Sequence, residues 1–112
     1  MLPSALRMRS ARDFQATVRR GSRTSGRSFV VHLHVDQGAL DRRVGIVASA
    51  AVGNSVERHL VTRRIRAAIQ QVAAELPAGV RVVVRALPGA ASAPHLCAEV
   101  QSCVMQALGQ RP

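Results

Sequence analysis

Between Asn54 and Arg66 the chain reads Asn-Ser-Val-Glu-Arg-His-Leu-Val-Thr-Arg-Arg-Ile-Arg. Arg58, His59, Arg63, Arg64 and Arg66 fall within nine positions, and only Glu57 offsets them. Arginine carries a planar fork of donors that matches phosphate oxygens and stacks on bases. A dense run of such groups suits polyanion binding better than acid–base or nucleophilic catalysis. Bond-breaking chemistry has weaker candidates. The six acidic residues are scattered, which disfavours a stand-alone metal-dependent nuclease. His32 and His34 stand at i, i+2, but no cysteine or carboxylate with ligand spacing accompanies them, so no zinc site is expected. Ser49 and Ser55 lack the marks of an activated nucleophile. No phosphate-binding glycine loop of the Walker type is present.

The basic cluster needs a helix to present it. Gly53 supplies a loop residue, Asn54 an N-cap acceptor and Glu57 the partner three positions on, a variant of the capping box. At about 100° per residue, Val61, Ile65, Ala68, Ile69 and Val72 share one side. His59, Thr62, Arg63, Arg66 and Gln70 share the other, and Arg58 and Arg64 flank the apolar stripe. One face is fitted to a core and the other to an anionic partner. Composition agrees: sixteen basic residues, all arginine, stand against six acids, for a net charge of +10. Nucleic acid is a better match than a membrane. No stretch approaches the ~20 apolar residues of a span, and the apolar face is short and lacks tryptophan.

With 112 residues, the chain is expected to form a single domain over residues 1–112, with one modest aliphatic core. Phe14 and Phe29 are its only aromatic residues. The start lacks the apolar stretch of a secretory signal, so a cytoplasmic location is expected. Cys97 and Cys103, six apart in one helix, point about 240° apart and read as separate buried or half-buried thiols.

Along the chain, a basic, irregular segment with Arg7 and Arg9 precedes a short helix capped by Ser10, with Asp13 three residues on. Gly21–Arg27 reads as a polar, cationic loop. A strand follows over 28–35, with Phe29, Val31, Leu33 and Val35 on one face and Val30, His32 and His34 on the other. A second strand over 43–49 is expected to pair with it antiparallel. The basic helix runs over 54–76, a β-branched strand over 80–86, and a last helix over 94–108 with Ser92 as its cap. The order α-β-β-α-β-α gives an α+β sandwich with one mixed sheet. The strands before and after the basic helix are expected to pair in parallel, a crossover that is normally right-handed.

The Val-Gly-Asn-Ser-Val-Glu-Arg-His-Leu-Val-Thr-Arg-Arg-Ile-Arg block resembles the signature helix of the bacterial ribonuclease P protein family. Arg7-Met-Arg9, Arg12-Asp-Phe14, Arg27-Ser-Phe29-Val-Val, Arg43-Val-Gly-Ile-Val-Ala-Ser49 and Arg85-Ala-Leu-Pro-Gly-Ala90 resemble its other segments in order. The resemblance implies the small basic subunit of a ribonucleoprotein that removes the 5′ leader of precursor tRNA. It implies that the partner RNA carries the catalytic centre and its Mg²⁺, and that the bound nucleic acid is RNA, not DNA. It also implies a left-handed crossover around the central basic helix. By the match, Asn54, Arg58, His59, Thr62, Arg63, Arg64 and Arg66 would contact the catalytic RNA. Arg9, Arg12, Phe14, Arg20, Arg27 and His32 would contact the precursor-tRNA leader, in a cleft between the first helix and the sheet.

Three positions depart from the family pattern. His59 replaces a usual asparagine, Leu60 a usual arginine and Thr62 a common basic residue, so contacts at 60 and 62 are weakened. Val18 and His32 stand where the family often has aromatics, so less stacking and more reliance on charge are expected. His32 and His34 are expected to be solvated or to face RNA. The alternative is a structural RNA-binding protein such as a small ribosomal component. It would need phosphate contacts but no second groove, and often carries basic tails; Ala107–Pro112 is scarcely basic.

Overall fold

Each element forms where local chemistry asks for it. Ser10 accepts a hydrogen bond from the Asp13 amide at 3.3 Å and starts α1, Ala11–Arg20. Gly21 closes this helix, its amide donating to Thr17 O. A Cβ at Gly21 would lie 2.4 Å from Thr17 O and 2.5 Å from Leu33 O, so only glycine lets the helix end this close to the sheet. The strands are β1 (Ser22–Ser25), β2 (Phe29–Val35), β3 (Arg43–Val47) and β4 (Val80–Ala86), and the longer helices are α2 (Ser55–Val72) and α3 (Leu96–Gly109). The structure is a computed structural model and describes residues 4–109. Met1–Pro3 and Gln110–Pro112, the ends of the basic N-terminal segment and of the C-terminal tail, lie outside the described residues.

The strands form one mixed sheet in the order β1-β2-β4-β3. β4 is antiparallel to β2, from Phe29↔Ala86 to Val35↔Val80, and parallel to β3, from Arg43↔Arg81 to Val47↔Arg85. The expected order α-β-β-α-β-α is present, and so is the parallel pair around the basic helix. The expected antiparallel pairing of the strands over 28–35 and 43–49 is not. β4 lies between them, because Val80, Val82, Val83 and Val84 are fully buried and need cover on both faces. The stretch read as a loop at 21–27 contains β1, a short edge strand from Ser22↔Leu33 to Ser25↔Val30. Its Ser-Arg-Thr-Ser sequence has no apolar alternation; the open edge of β2 orders it. The last helix begins at Leu96, and the Ser92 region forms a 3-10 turn, Ala90–Ser92.

One face of the sheet meets α2 and α3. Phe29, Val31, Leu33, Val44, Val82 and Val84 pack there against Val61, Ile65, Ala68 and Ile69 of α2 and Val100, Val104 and Ala107 of α3. The apolar stripe read from the sequence is this contact, with Val72 only half-buried. Cys103 is buried and Cys97 half-buried, both free thiols. Arg42 donates to Ala73 O and Leu76 O at 3.1 and 3.2 Å, satisfying carbonyls where α2 runs out.

α1 packs on the opposite face, against β2 and β4. There Arg81 is 5% exposed within the valine strand. Its guanidinium donates to Asp41 Oδ1 at 2.9 Å and Asp41 O at 2.8 Å, and its Nε lies 3.8 Å from Asp13 of α1. Arg43 joins Asp41 at 2.9 Å and donates to Ala5 O and Arg7 O, which holds the N-terminal segment along β3. The Met8 amide completes that edge with a bond to Val44 O at 2.8 Å.

Hydrogen bonds from Arg81, then from Arg43, hold the Asp41 carboxyl below its ordinary range. A carboxylate depressed in the folded state stabilises the fold above its unfolded pKa, near 3.8, and loses that contribution as pH falls through its folded value. Asp41→Asn is therefore expected to lower the melting temperature at pH 7 and to have little effect at the acid end of the titration. Paired thermal melts across pH check this; an equal deficit at both ends would mean that the Asp41 charge contributes nothing.

Candidate nucleic-acid interface

Gly53 and Asn54 set the direction of the basic helix. The Asn54 Oδ1 accepts from the Glu57 amide at 2.9 Å, and Glu57 Oε1 accepts from the Asn54 amide at 3.1 Å. Both halves of the expected capping box are formed. Glu57 folds back so far that a Cβ on Gly53 would lie 2.5 Å from its Oε1, and Gly53 has φ +153°. The glycine in the Val-Gly-Asn run therefore serves the cap. Asn54 Oδ1 is committed to the helix start.

Beyond the cap, Arg58, His59, Thr62 and Arg66 line one groove of about 320 Å³, closed by Ser55 and by Ala48 beyond β3. Arg63 is exposed on the adjoining surface of α2. Arg64 points elsewhere. It donates to Ala91 O at 3.3 Å and lines a separate hollow with Ser92, Pro94 and Cys97, toward α3. Of the residues matched to the signature, four share a groove, Arg63 borders the outside, Arg64 lies on the opposite flank and Asn54 caps the helix.

The residues expected at the first helix do not gather in one place. Arg12 and Arg20 line a hollow of about 450 Å³ with Asp13, Arg19, His34, Asp36 and Arg81. Phe14 is half-buried, and its ring lies where a Cβ on Gly45 would come within 2.5 Å of its Cζ. Gly45, Val83 and His32 occupy one row across β3, β4 and β2, so the ring stands at one end of that row. Arg9 is exposed beside α1.

Two expectations change. Arg27 lines a hollow with Glu99, Ser102 and Cys103 of α3, so it belongs with the α3 side of the molecule and not with Phe14. The turn between β1 and β2 places it there, which sequence proximity to Phe29 did not reveal. His32, expected to be solvated or to face a ligand, is 4% exposed. Burial first, then the charges of Arg85 and Arg23, lower its pKa from 6.5. His34, by contrast, is half-exposed in the hollow with Arg12.

Neither Arg23 nor Arg85 stands out in the sequence as a site residue. Arg23 pairs opposite His32, and Arg85 opposite Val30, so both project from the α1 side of the sheet, and both are exposed. The parity of Arg81, Val83 and Arg85 along β4 carries the signal, but only the register with β2 says which face they share. The molecule thus has a cationic groove on α2 and a separate cationic face around α1, on opposite sides of the sheet. Among the described residues, no group of three or more His, Cys, Asp or Glu side chains is placed to hold a metal ion.

A family model described as Ribonuclease P matches residues 2–108. A ribonuclease P protein component of Kocuria rhizophila is 44% identical over 110 residues, covering 96% of each chain. One of Mycobacterium avium is 42% identical over 110 residues, covering 93% of this chain and 92% of that protein. The solved RNase P protein of Staphylococcus aureus superposes with a TM-score of 0.77 at 25% identity, covering 95% of this chain and 94% of that one. The fold is also that of the Thermotoga maritima RNase P protein in complex with 1-(4-fluorophenyl)-2-thiourea, with a TM-score of 0.72 at 21% identity over 95% of this chain and 100% of that one.

Asn54→Ala removes one half of the capping box and leaves the Glu57 amide without its partner. The expected loss is about 1 kcal/mol, a fall of roughly 4 °C in melting temperature for a domain of this size. Thermal unfolding checks it, with Asn54→Asp as the variant that should keep the cap.

Proposed function

The chain belongs to the bacterial ribonuclease P protein family, the protein subunit of the RNA-based endoribonuclease that matures tRNA 5′ ends, and from that premise we propose how its two cationic surfaces divide the work. The groove of Arg58, His59, Thr62 and Arg66, with Arg63 beside it, binds phosphates of the ribonuclease P RNA. The α1 face, with Phe14, Arg12 and Arg20 and with the exposed Arg23 and Arg85, binds the 5′ leader of precursor tRNA. The observation that carries this reading is the placement of the two surfaces on opposite sides of one sheet. A single chain built so is able to hold two RNA segments at once. A structural RNA binder of the ribosomal kind accounts for the α2 groove and leaves the α1 face without a use.

Physical chemistry sets what each surface contributes. Arginine–phosphate contacts release counterions, so affinity falls steeply with salt and the contacts position more than they specify. Phe14 offers one aromatic ring, and stacking on a single-stranded base is worth ~1–3 kcal/mol. With one ring and several guanidiniums, leader binding leans on charge and tolerates base identity. Among the described residues, no cluster of His, Cys, Asp and Glu side chains is placed to hold a resident metal ion. Mg²⁺, which the reaction needs, is assigned to the RNA subunit and the substrate, and the protein acts by binding and orientation. No described helix is long and apolar enough to cross a membrane. We place the protein in the cytoplasm as a single RNA-binding domain over residues 1–112.

The test is 5′ cleavage of a precursor tRNA at low millimolar Mg²⁺ by a bacterial ribonuclease P RNA, with and without this protein. A marked gain at the mature 5′ end is expected. Tight RNA binding with no gain in cleavage would favour the structural role. Arg63→Ala with Arg66→Ala is expected to weaken binding to that RNA and to flatten its salt dependence. The log–log slope should fall by about 0.7–0.9 for each phosphate no longer neutralised. An unchanged slope would remove these residues from the phosphate interface.

A further inference from the structure

His32 is 4% exposed, and neither Nδ1 nor Nε2 meets a hydrogen-bond partner. A neutral imidazole carries one N–H donor and one acceptor. Leaving both unmet in an interior costs free energy that a phenylalanine at the same place would not. An orphaned polar ring of this kind, beside a face argued to bind RNA, calls for a ligand that satisfies it.

The register surrounds the ring with cations. Arg23 of β1 is the direct partner of His32, and such cross-strand partners lie about 4.5–5.5 Å apart. Arg85 of β4 is the partner of Val30, one step along the same face. Val83, directly opposite His32 on β4, is apolar. On its own strand the titratable neighbour is His34, which lines the hollow with Arg12, Asp13, Arg19 and Arg20 of α1. Asp13 is directed to Arg81, and Arg43 of β3 is paired with Asp41. The groups facing His32 from β1 and β4 are therefore both positive, and the nearby carboxylates are occupied elsewhere.

We propose that His32 takes up a proton when an RNA phosphate seats between Arg23 and Arg85, so that leader binding is coupled to protonation of a buried histidine. The proposal rests on the reading of the α1 face as the leader surface. A phosphate offsets the two guanidinium charges whose repulsion, with burial, keeps the ring neutral. The proton comes from solvent. The protonated ring carries an N–H on each nitrogen, and one of them donates to a phosphate oxygen. Linkage fixes the sign. Without RNA the ring titrates below its ordinary 6.5, and a neighbouring phosphate, as an opposite charge, raises that value. Between those two values binding takes up a proton, and affinity falls as pH rises. An aromatic hydrocarbon ring at this position would stack but would not titrate.

The experiment measures affinity of the reconstituted holoenzyme for precursor tRNA and for mature tRNA between pH 5.5 and 8. The ratio of the two isolates the leader from titrations elsewhere in the RNA. The wild-type ratio is expected to fall several-fold with rising pH, with a limiting slope of about tenfold per pH unit for one proton. His32→Phe, which keeps a ring and removes the unmet nitrogens, is expected to fold at least as well, to keep a preference for precursor and to lose the pH dependence. A flat wild-type ratio, or one that falls equally in His32→Phe, overturns the proton coupling and leaves the leader reading standing. No preference for precursor at any pH overturns both.

Discussion

The position of β4 governs everything else in the molecule. Its valines are buried on both sides of the sheet, so the strand sits between β2 and β3 and not at an edge. Because it runs parallel to β3, the chain has to leave the sheet at Val47 and return at Val80. Parallel neighbours need a long crossover, and α2 is that crossover. The basic helix is therefore an obligatory connection pressed on the core through Val61, Ile65 and Ile69, which fixes the side on which its outer groove lies.

A central strand this apolar tolerates one charge, and that charge organises the other face. Arg81 is buried, and burying a cation without partners is costly. Asp41 answers it with a carboxylate and a backbone carbonyl, and Asp13 approaches from α1. In a chain with a net charge of +10, few acids are free for such work. Their concentration around Arg81 and Arg43 ties the loop before β3, the N-terminal segment and α1 into one unit. Loss of the Asp41 carboxylate would leave the buried Arg81 with only the more distant Asp13 carboxylate nearby, and that approach links α1 to the strand.

The arginines consequently do two different jobs. Arg42, Arg43, Arg64 and Arg81 donate to backbone carbonyls or to Asp41 within the protein. Arg9, Arg12, Arg19, Arg20, Arg23, Arg27, Arg63 and Arg85 are exposed, and so is Arg64 despite its bond to Ala91 O. A charge count treats both groups alike and so overstates the surface available to RNA. The exposed group falls on opposite sides of the sheet, which is what lets one small protein present separate surfaces to a structured RNA and to a single strand.

The sequence alone determined whatever depends on near neighbours along the chain. The Ser10 and Asn54 caps, the apolar stripe of α2, the alternation in β2 and the family signature are all local patterns, and each is found in place. Tertiary structure decided the partners. The order β1-β2-β4-β3, the edge strand at Ser22–Ser25, the burial of His32 and the pairing of Arg23 and Arg85 beside it depend on register between distant segments. So does the separation of Arg27 from Phe14. A side chain's face is set by strand parity, which sequence shows, but what shares that face is set by pairing, which it does not.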